Sequence, residues 1–266
     1  GESVDSVINC ESKDVSVGNI QIERYSVSGR TEKGDIVLNI SEGSFGEIAV
    51  PDDGADKSIN IVSNITNASV EVSSSNGLAS MLEMAESGEA YTCPEKPFVI
   101  TLTEDIKFSF DVGNSTGTAP ENIIIDLNGH TLTLGPGVGS VGTTSNGIRV
   151  LAYSKLTLKN GTVVCSDIIG DNIKTAIANY GELVLEDVSV KSGALTMYTI
   201  NNRGKLTLLG KTTVENGQVQ QNDYEPFDYV AITNDPYTLY YINDAVIDCD
   251  SDDVTVGNVQ IETYGT

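Results

Sequence analysis

The sequence predicts an all-β chain wound as a coil of short strands, with one amphipathic helix, and three observations carry that prediction. The first is an internal repeat: Thr175–Leu185 reads TAIANYGELVL and Tyr198–Leu208 reads YTINNRGKLTL. Asn179 falls on Asn202, Gly181 on Gly204, Leu183 on Leu206 and Leu185 on Leu208, and a looser copy runs from Arg149 to Leu158. The second is the pattern within each copy. Apolar and polar residues alternate, the period of a half-buried strand, around an Asn or Gly corner. The third is the spacing, about 23 to 27 residues, which lies in the range that marks solenoids and arrays.

One turn of such a coil cannot bury its own inward face. Turns therefore stack at about 4.8 Å and bury a continuous core, with inward Ile and Leu lying on their counterparts in the next turn. Asn179 and Asn202 are expected to form a side-chain amide ladder, with Asn234 as a third member. Asn suits a corner because it tolerates left-handed backbone angles and bonds nearby peptide groups.

A second repeat joins the two ends. Val7–Tyr25 and Val246–Tyr264 match without a gap. The match reads as one unit of a longer tandem array, with the same closing edge at both ends and a tendency to associate end to end. Between the ends, Asp35–Ile40, Phe45–Val50, Ile59–Ile65 and Val70–Val72 alternate like strands, with a turn at Pro51–Gly54. Further turns of the coil and a small antiparallel sheet both fit them. Residues 76–87 carry the one helical period: Leu78, Met81, Leu82 and Ala85 share a face, Asn76 can cap the start and Gly88 can end it. Such a helix can cover the exposed end of a strand array. Strands follow at Phe98–Leu102, Ile106–Phe110 and Ile123–Leu134, and polar loops at Gly135–Asn146 and Asn216–Asp228. The expected division is a strand-rich segment over 1–75 and a coil over 76–266.

Asn122–Leu134, NIIIDLNGHTLTL, resembles the opening turns of pectate-lyase-like right-handed parallel β-helices. The resemblance extends over about residues 76–253. It implies a right-handed parallel β-helix whose first turn carries a capping helix, in a family common among secreted and surface proteins of bacteria. It says little about activity, because the motif is structural.

Composition narrows the function. The 266 residues carry 38 Asp and Glu against 15 Lys and Arg, a formal charge of −23. Such a surface repels phosphate backbones and anionic lipid, which argues against nucleic-acid partners. No apolar run reaches the length of a membrane span, so membrane insertion is not expected. The four cysteines, Cys10, Cys93, Cys165 and Cys249, lack metal-ligand spacing. They read either as buried thiols, Cys165 beside Val163 and Cys249 beside Ile247, or as disulfide partners.

His130 is the one histidine and sits in the Asn128–His130 turn, without a second histidine for zinc or a nucleophile motif for a triad. The resemblance implies a calcium cluster beside a basic residue for a lyase, or paired Asp residues for a hydrolase. Stacking is expected to bring Asp167, Asp171 and Glu186 near Arg149 and Arg203, but they carry neither pattern. The cluster Asp248, Asp250, Asp252 and Asp253 has oxygen ligands of the kind calcium takes, yet its copy at the other end has Asn9 and Lys13 in place of Asp248 and Asp252. No metal site, cofactor or catalytic residue is therefore expected. The remaining feature is aromatic: Tyr224, Phe227, Tyr229, Tyr237, Tyr240 and Tyr241 are interleaved with acids. Tyrosine rings recur in recognition surfaces, which makes these the candidate ligand-binding residues. The expected role is a non-catalytic repeat module of a secreted or cell-surface bacterial protein, an adhesin or stalk. Its partners would be a glycan or a host surface protein, together with neighbouring repeat units. The alternative is a polysaccharide lyase or glycoside hydrolase.

Overall fold

The computed structural model describes residues 5–25, 34–51, 55–56, 58–66, 68–139, 146–168, 173–193, 196–217, 230–236 and 245–262. Among them the chain forms 24 strands and one helix. It enters with β1 (Ser6–Cys10), β2 (Ser16–Val17) and β3 (Ile20–Gln21), repeats the triplet as β4 (Ile36–Ile40), β5 (Ser44–Phe45) and β6 (Ile48–Ala49), and continues with β7 (Ile61–Ile65), β8 (Ser69–Val72) and α1 (Ser75–Met84). Then come β9 (Phe98–Leu102), β10 (Ile106–Lys107), β11 (Phe110–Val112), β12 (Asn122–Asp126), β13 (Thr131–Leu134), β14 (Asn146–Val150), β15 (Lys155–Cys165) and β16 (Thr175–Asn179). The last are β17 (Glu182–Lys191), β18 (Tyr198–Asn202), β19 (Lys205–Leu209), β20 (Thr213–Glu215), β21 (Val230–Asn234), β22 (Val246–Cys249), β23 (Thr255–Val256) and β24 (Val259–Ile261).

Every ladder between these strands is parallel. The longest path orders β2-β5-β8-β9-β12-β15-β17-β19-β22, and a second sheet orders β11-β14-β16-β18-β21-β24. Residues 35–72 pair in parallel too, β1-β4-β7 in one sheet and β3-β6 in another, so a small antiparallel sheet there is excluded. The longest path also crosses position 75, because β8 pairs directly with β9.

In-register pairing sorts side chains into columns. Val70, Ile100, Ile125, Leu158, Leu185 and Leu208 lie on one another along the longest sheet. Phe110, Ile148, Ile177, Ile200 and Ile232 do the same in the second. Nearly all are withdrawn from water and belong to a single core cluster that runs from Cys10 to Ile232. The Leu183–Leu206 stacking read from the repeat is one rung of a further column, which continues to Ile247.

The corners differ from expectation in one respect. Asn179 and Asn202 end strands β16 and β18 and are not among the residues with positive φ. Among the described Asn and Asp residues the left-handed angles fall instead at Asn128 (φ 50°), Asn160 (φ 58°) and Asp187 (φ 53°), the last two bending β15 and β17 in mid-strand. Asn179 and Asn202 serve the amide ladder instead. Asn179 Nδ2 donates to Asn202 Oδ1 at 2.7 Å, and Asn202 Nδ2 donates to Asn234 Oδ1 at 2.7 Å. Gly181 and Gly204 follow because the corners touch: a Cβ on Gly204 would lie 2.2 Å from the Gly181 carbonyl oxygen. A second ladder, exposed, links Asn64 to Asn39 at 2.7 Å and Asn39 to Asn9 at 2.8 Å.

The helix expected over 76–87 spans Ser75–Met84, and its cap is Ser74 rather than Asn76. Ser74 is extended (φ −146°, ψ 159°), and its hydroxyl accepts the Gly77 N–H at 3.0 Å. The Glu47 carboxylate also lies at this end, accepting from the Ser73 N–H and hydroxyl and from the Ser74 hydroxyl, where the helix dipole favours negative charge. At the other end Ala85 turns extended, and the Gly88 N–H is taken by the Pro120 carbonyl at 2.7 Å. The buried face is Gly77, Leu78, Met81 and Met84, with Leu82 and Ala85 only partly covered. The helix packs on β6 and β8 where the β3–β6 sheet stops, so it covers the edge of that small sheet and not the end of the whole array.

Two outcomes follow for stability. Leu206→Asp places a charge in the Leu183–Ile247 column at a cost of about 4 kcal/mol. For a chain of this size that is a fall in Tm of roughly 10 °C. A variant melting within about 2 °C of the parent would overturn the register. Asn202→Ala orphans buried amide and carbonyl groups and costs about 3 kcal/mol, whereas Asn39→Ala, in the exposed ladder, costs under about 1 kcal/mol. Denaturant titration of both variants measures the contrast.

Candidate functional site: a tyrosine-lined cleft

Stacked corners bring together tyrosines that are far apart in sequence. The residue pairing Lys155–Glu182–Lys205 sets the corners one above another, so Tyr153, Tyr180 and Arg203, each two residues earlier, fall on successive levels about 4.8 Å apart. Tyr91 joins them from the segment before β9, held by its N–H to the Gly117 carbonyl at 2.8 Å. Its ring meets Tyr153 edge to face, centroids 5.3 Å apart at 68°. Arg203 lies over Tyr180 at 5.8 Å and is fixed from behind by buried Asp235 at 2.5 Å. Tyr91, Tyr153 and Tyr180, with Cys93, Ser154, Gly181, Glu182, Gly204 and Lys205, line a cleft of about 430 Å³.

The two outer rings are held under strain and in water. Tyr91 (φ 66°) and Tyr153 (φ 65°) both adopt the left-handed region, which costs a non-glycine residue on the order of 1 kcal/mol or more. Both are also open to solvent, Tyr91 at 57% and Tyr153 at 39%. Gly117 sits beneath them because a Cβ there would lie 2.9 Å from the Tyr153 ring. The other wall of the cleft carries Glu182 and Lys205, which continue a column of alternating charge from Lys155, 3.9 Å from Glu182. Burial pushes the Cys93 thiol up, and Glu182 adds to the shift against the opposing pull of Lys155, so Cys93 is a poor nucleophile.

Behind the cleft lies a polar cluster. Ser154 accepts the Glu121 N–H at 3.1 Å, and Glu121 Oε2 accepts the Gly113 N–H at 2.8 Å. Arg149 donates to both oxygens of Asp111, at 2.7 and 2.5 Å. Arg149 is raised by its hydrogen bond to Asp111. Burial holds the Glu121 carboxyl above the usual range; the Gly113 N–H opposes the shift and Asp111 adds to it.

Other expected sites fall elsewhere. Tyr224, Phe227, Tyr229, Tyr237, Tyr240 and Tyr241 lie outside the described residues, as does Asp171. Arg149 and Arg203 pair with Asp111 and Asp235 rather than with Asp167 or Glu186. His130 Nδ1 lies 3.4 Å from Asp105, and its backbone N–H closes the turn by donating to the Leu127 carbonyl at 2.7 Å. Asp248 lies 3.5 Å from Lys205. All four cysteines are free thiols; Cys10 and Cys165 are buried, but Cys249, expected inward, is exposed because no strand covers it among the described residues.

The Glu121 environment gives a pH dependence. A carboxyl raised on folding contributes stability that is fully present below its unfolded pKa, about 4.5, and lost as pH rises through the folded value. Glu121→Gln keeps the acceptor for Gly113 without the buried charge. It therefore raises Tm at pH 7, and the gain vanishes as pH falls to about 4.5. Thermal melts of both proteins across that range check the sign. Comparison with protein-family models, curated proteins and solved structures yields no match for the chain, so no relative supplies a function and the cleft's own chemistry is the guide to it.

Proposed function

We propose that the chain is a right-handed parallel β-helix of the pectate-lyase-like type and acts as a non-catalytic, glycan-binding repeat module of a secreted or cell-surface bacterial protein. The observation that carries the reading is the pair Tyr91 and Tyr153: exposed rings kept at strained backbone angles over a cleft. Strain of this kind persists where the surrounding structure enforces it, and it clusters at ligand sites. Tyrosine offers an apolar face and a hydroxyl at low entropy cost. Ser154, Glu182 and Lys205 supply donors and acceptors on the facing wall for sugar hydroxyls. Binding fits better than cleavage, because glycoside hydrolysis uses two carboxyl groups across the scissile bond and Glu182 is the one carboxylate among the lining residues. Neighbouring repeat units of the same protein are the second partner, and the surface charge keeps the array soluble.

A broad glycan array followed by titration tests this. The parent retains at least one glycan class without releasing shortened or unsaturated products. Tyr153→Gly relieves the positive φ and removes the ring. It melts within about 2 °C of the parent yet binds about tenfold more weakly, the scale of one lost hot-spot contact. A parent that binds no glycan, or a variant that binds as well as the parent, sinks the reading.

A further inference from the structure

The charges around the tyrosine cleft cancel pair by pair. Glu182 and Lys205 are the charged residues among those that line it. Glu182 lies 3.9 Å from Lys155 in the preceding level, and Lys205 lies 3.5 Å from Asp248 in the following one. Arg203, over Tyr180, reaches buried Asp235 at 2.5 Å. Lys155, Lys205 and Arg203 thus each have a carboxylate beside them, and the site is locally neutral on a chain whose formal charge is −23.

The two lysine pairs are loose. The Glu182 and Lys205 side chains are 56% and 53% exposed, and both separations exceed a normal hydrogen bond. Their carboxylate oxygens and ammonium protons therefore remain available to sugar hydroxyls. An acidic ligand needs something else, a cation whose charge is not already matched, and the planar fork of an arginine meets that need best. Arg203 does not provide it, because its guanidinium is held by the Asp235 carboxylate and the Tyr180 ring. A cationic ligand needs an unmatched carboxylate, and the one in the lining, Glu182, has Lys155 beside it. The rest of the lining is uncharged: three tyrosines, Ser154, two glycines and Cys93, whose thiol burial holds in its neutral form.

We propose that the cleft selects neutral glycans, chains of hexose or N-acetylhexosamine without carboxylate, sulfate or free amine, and that the Lys155–Glu182 and Lys205–Asp248 pairs set this selection. The inference rests on the glycan-binding reading of the cleft and narrows its ligand class. Specificity here works by what the site opposes as much as by what it attracts. A carboxylate brought to Lys205 meets Asp248, and one brought to Lys155 meets Glu182; an ammonium brought to Glu182 meets Lys155. The acids elsewhere on the chain add a longer-range repulsion of anions and attraction of cations, which salt screens within about 8–10 Å. A neutral chain meets neither effect and uses the exposed rings of Tyr91 and Tyr153 together with the hydroxyl partners on the facing wall.

The test compares the tightest ligand of a glycan array with versions of it that differ only in charge, one bearing a uronic acid and one a free amine. Each is titrated into the full chain at about 0.01 and 1 M salt, where the Debye length is about 30 and 3 Å. The neutral chain binds with a Kd that changes less than about twofold between the two salts. The uronate binds at least about tenfold more weakly at low salt, and the gap narrows as salt rises; the amine's attraction at low salt is gone at 1 M. Asp248→Asn leaves Lys205 unmatched. Asp248 does not line the cleft, its side chain is 42% exposed, and Asn9 holds the matching position near the start of the chain, so the variant folds as the parent does. It lowers the Kd for the uronate by about tenfold and alters that for the neutral chain less than about twofold. A tightest ligand that carries a carboxylate or sulfate, an amine still preferred at 1 M salt, or a variant that discriminates as the parent does overturns the proposal and leaves glycan binding standing. A parent that binds no glycan of any charge overturns both.

Discussion

The parallel, in-register backbone ladder is the constraint on which the rest of this protein depends. It sets each residue about 4.8 Å from its counterpart in the next strand, too close for any side chain to ignore the one above and below it. Every column must therefore tolerate its own repetition. Branched and linear apolar residues do so by packing, as along Val70 to Leu208. Amides do so by donating in one direction and accepting from the other, as along Asn179, Asn202 and Asn234. Charges do so only by alternating, as Lys155, Glu182 and Lys205 do. The ladder of Asn202 is worth more than that of Asn39, though the geometry is the same. Asn202 itself is wholly buried, and an unmade hydrogen bond there is not replaced by water.

The same constraint builds the cleft. A corner residue in a stacked array is repeated as a row, and here the row is Tyr153, Tyr180 and Arg203. The glycine that follows in the second and third corners, Gly181 and Gly204, lets the levels close up, since a Cβ on either would strike a carbonyl of the neighbouring corner. Tight glycine corners thus space the aromatic row, and the array's rigidity holds Tyr91 and Tyr153 at angles they would not choose alone. Glu121 fits the same picture. Its carboxyl gives up solvation to tie Gly113 and, through its N–H, Ser154, which lines the cleft.

How much of this the sequence reveals depends on whether a feature repeats along the chain. The Leu183–Leu206 register and the amide ladder are legible because the repeat aligns them directly. The Asn9, Asn39 and Asn64 ladder is as regular, in SVINC, IVLNI and IVSNI, but its copies share only alternation and one polar position, a weaker signal. The helix start is not legible from its own neighbourhood. Asn76 is a good cap in isolation, but Glu47, brought up by a distant strand, favours Ser74. The cleft is hidden because its tyrosines are spread along the chain, whereas the rings between Tyr224 and Tyr241 form one run. The Asn-Tyr-Gly and Asn-Arg-Gly corners do carry the signal, once the residue between the two aligned ones is read as facing outward.

A stacked array solves its interior by repetition and leaves the problem at its edges, where backbone donors and acceptors and half an apolar column meet water. The edge motif is used from both sides: its first copy pairs with the strands that follow it, β4–β6, and its second with those that precede it, β19–β21. One apolar pattern thus serves either face of a level. The outward position that differs between the copies follows the partner its column offers: Asn9 accepts from the Asn39 amide, whereas Asp248 lies 3.5 Å from the Lys205 ammonium.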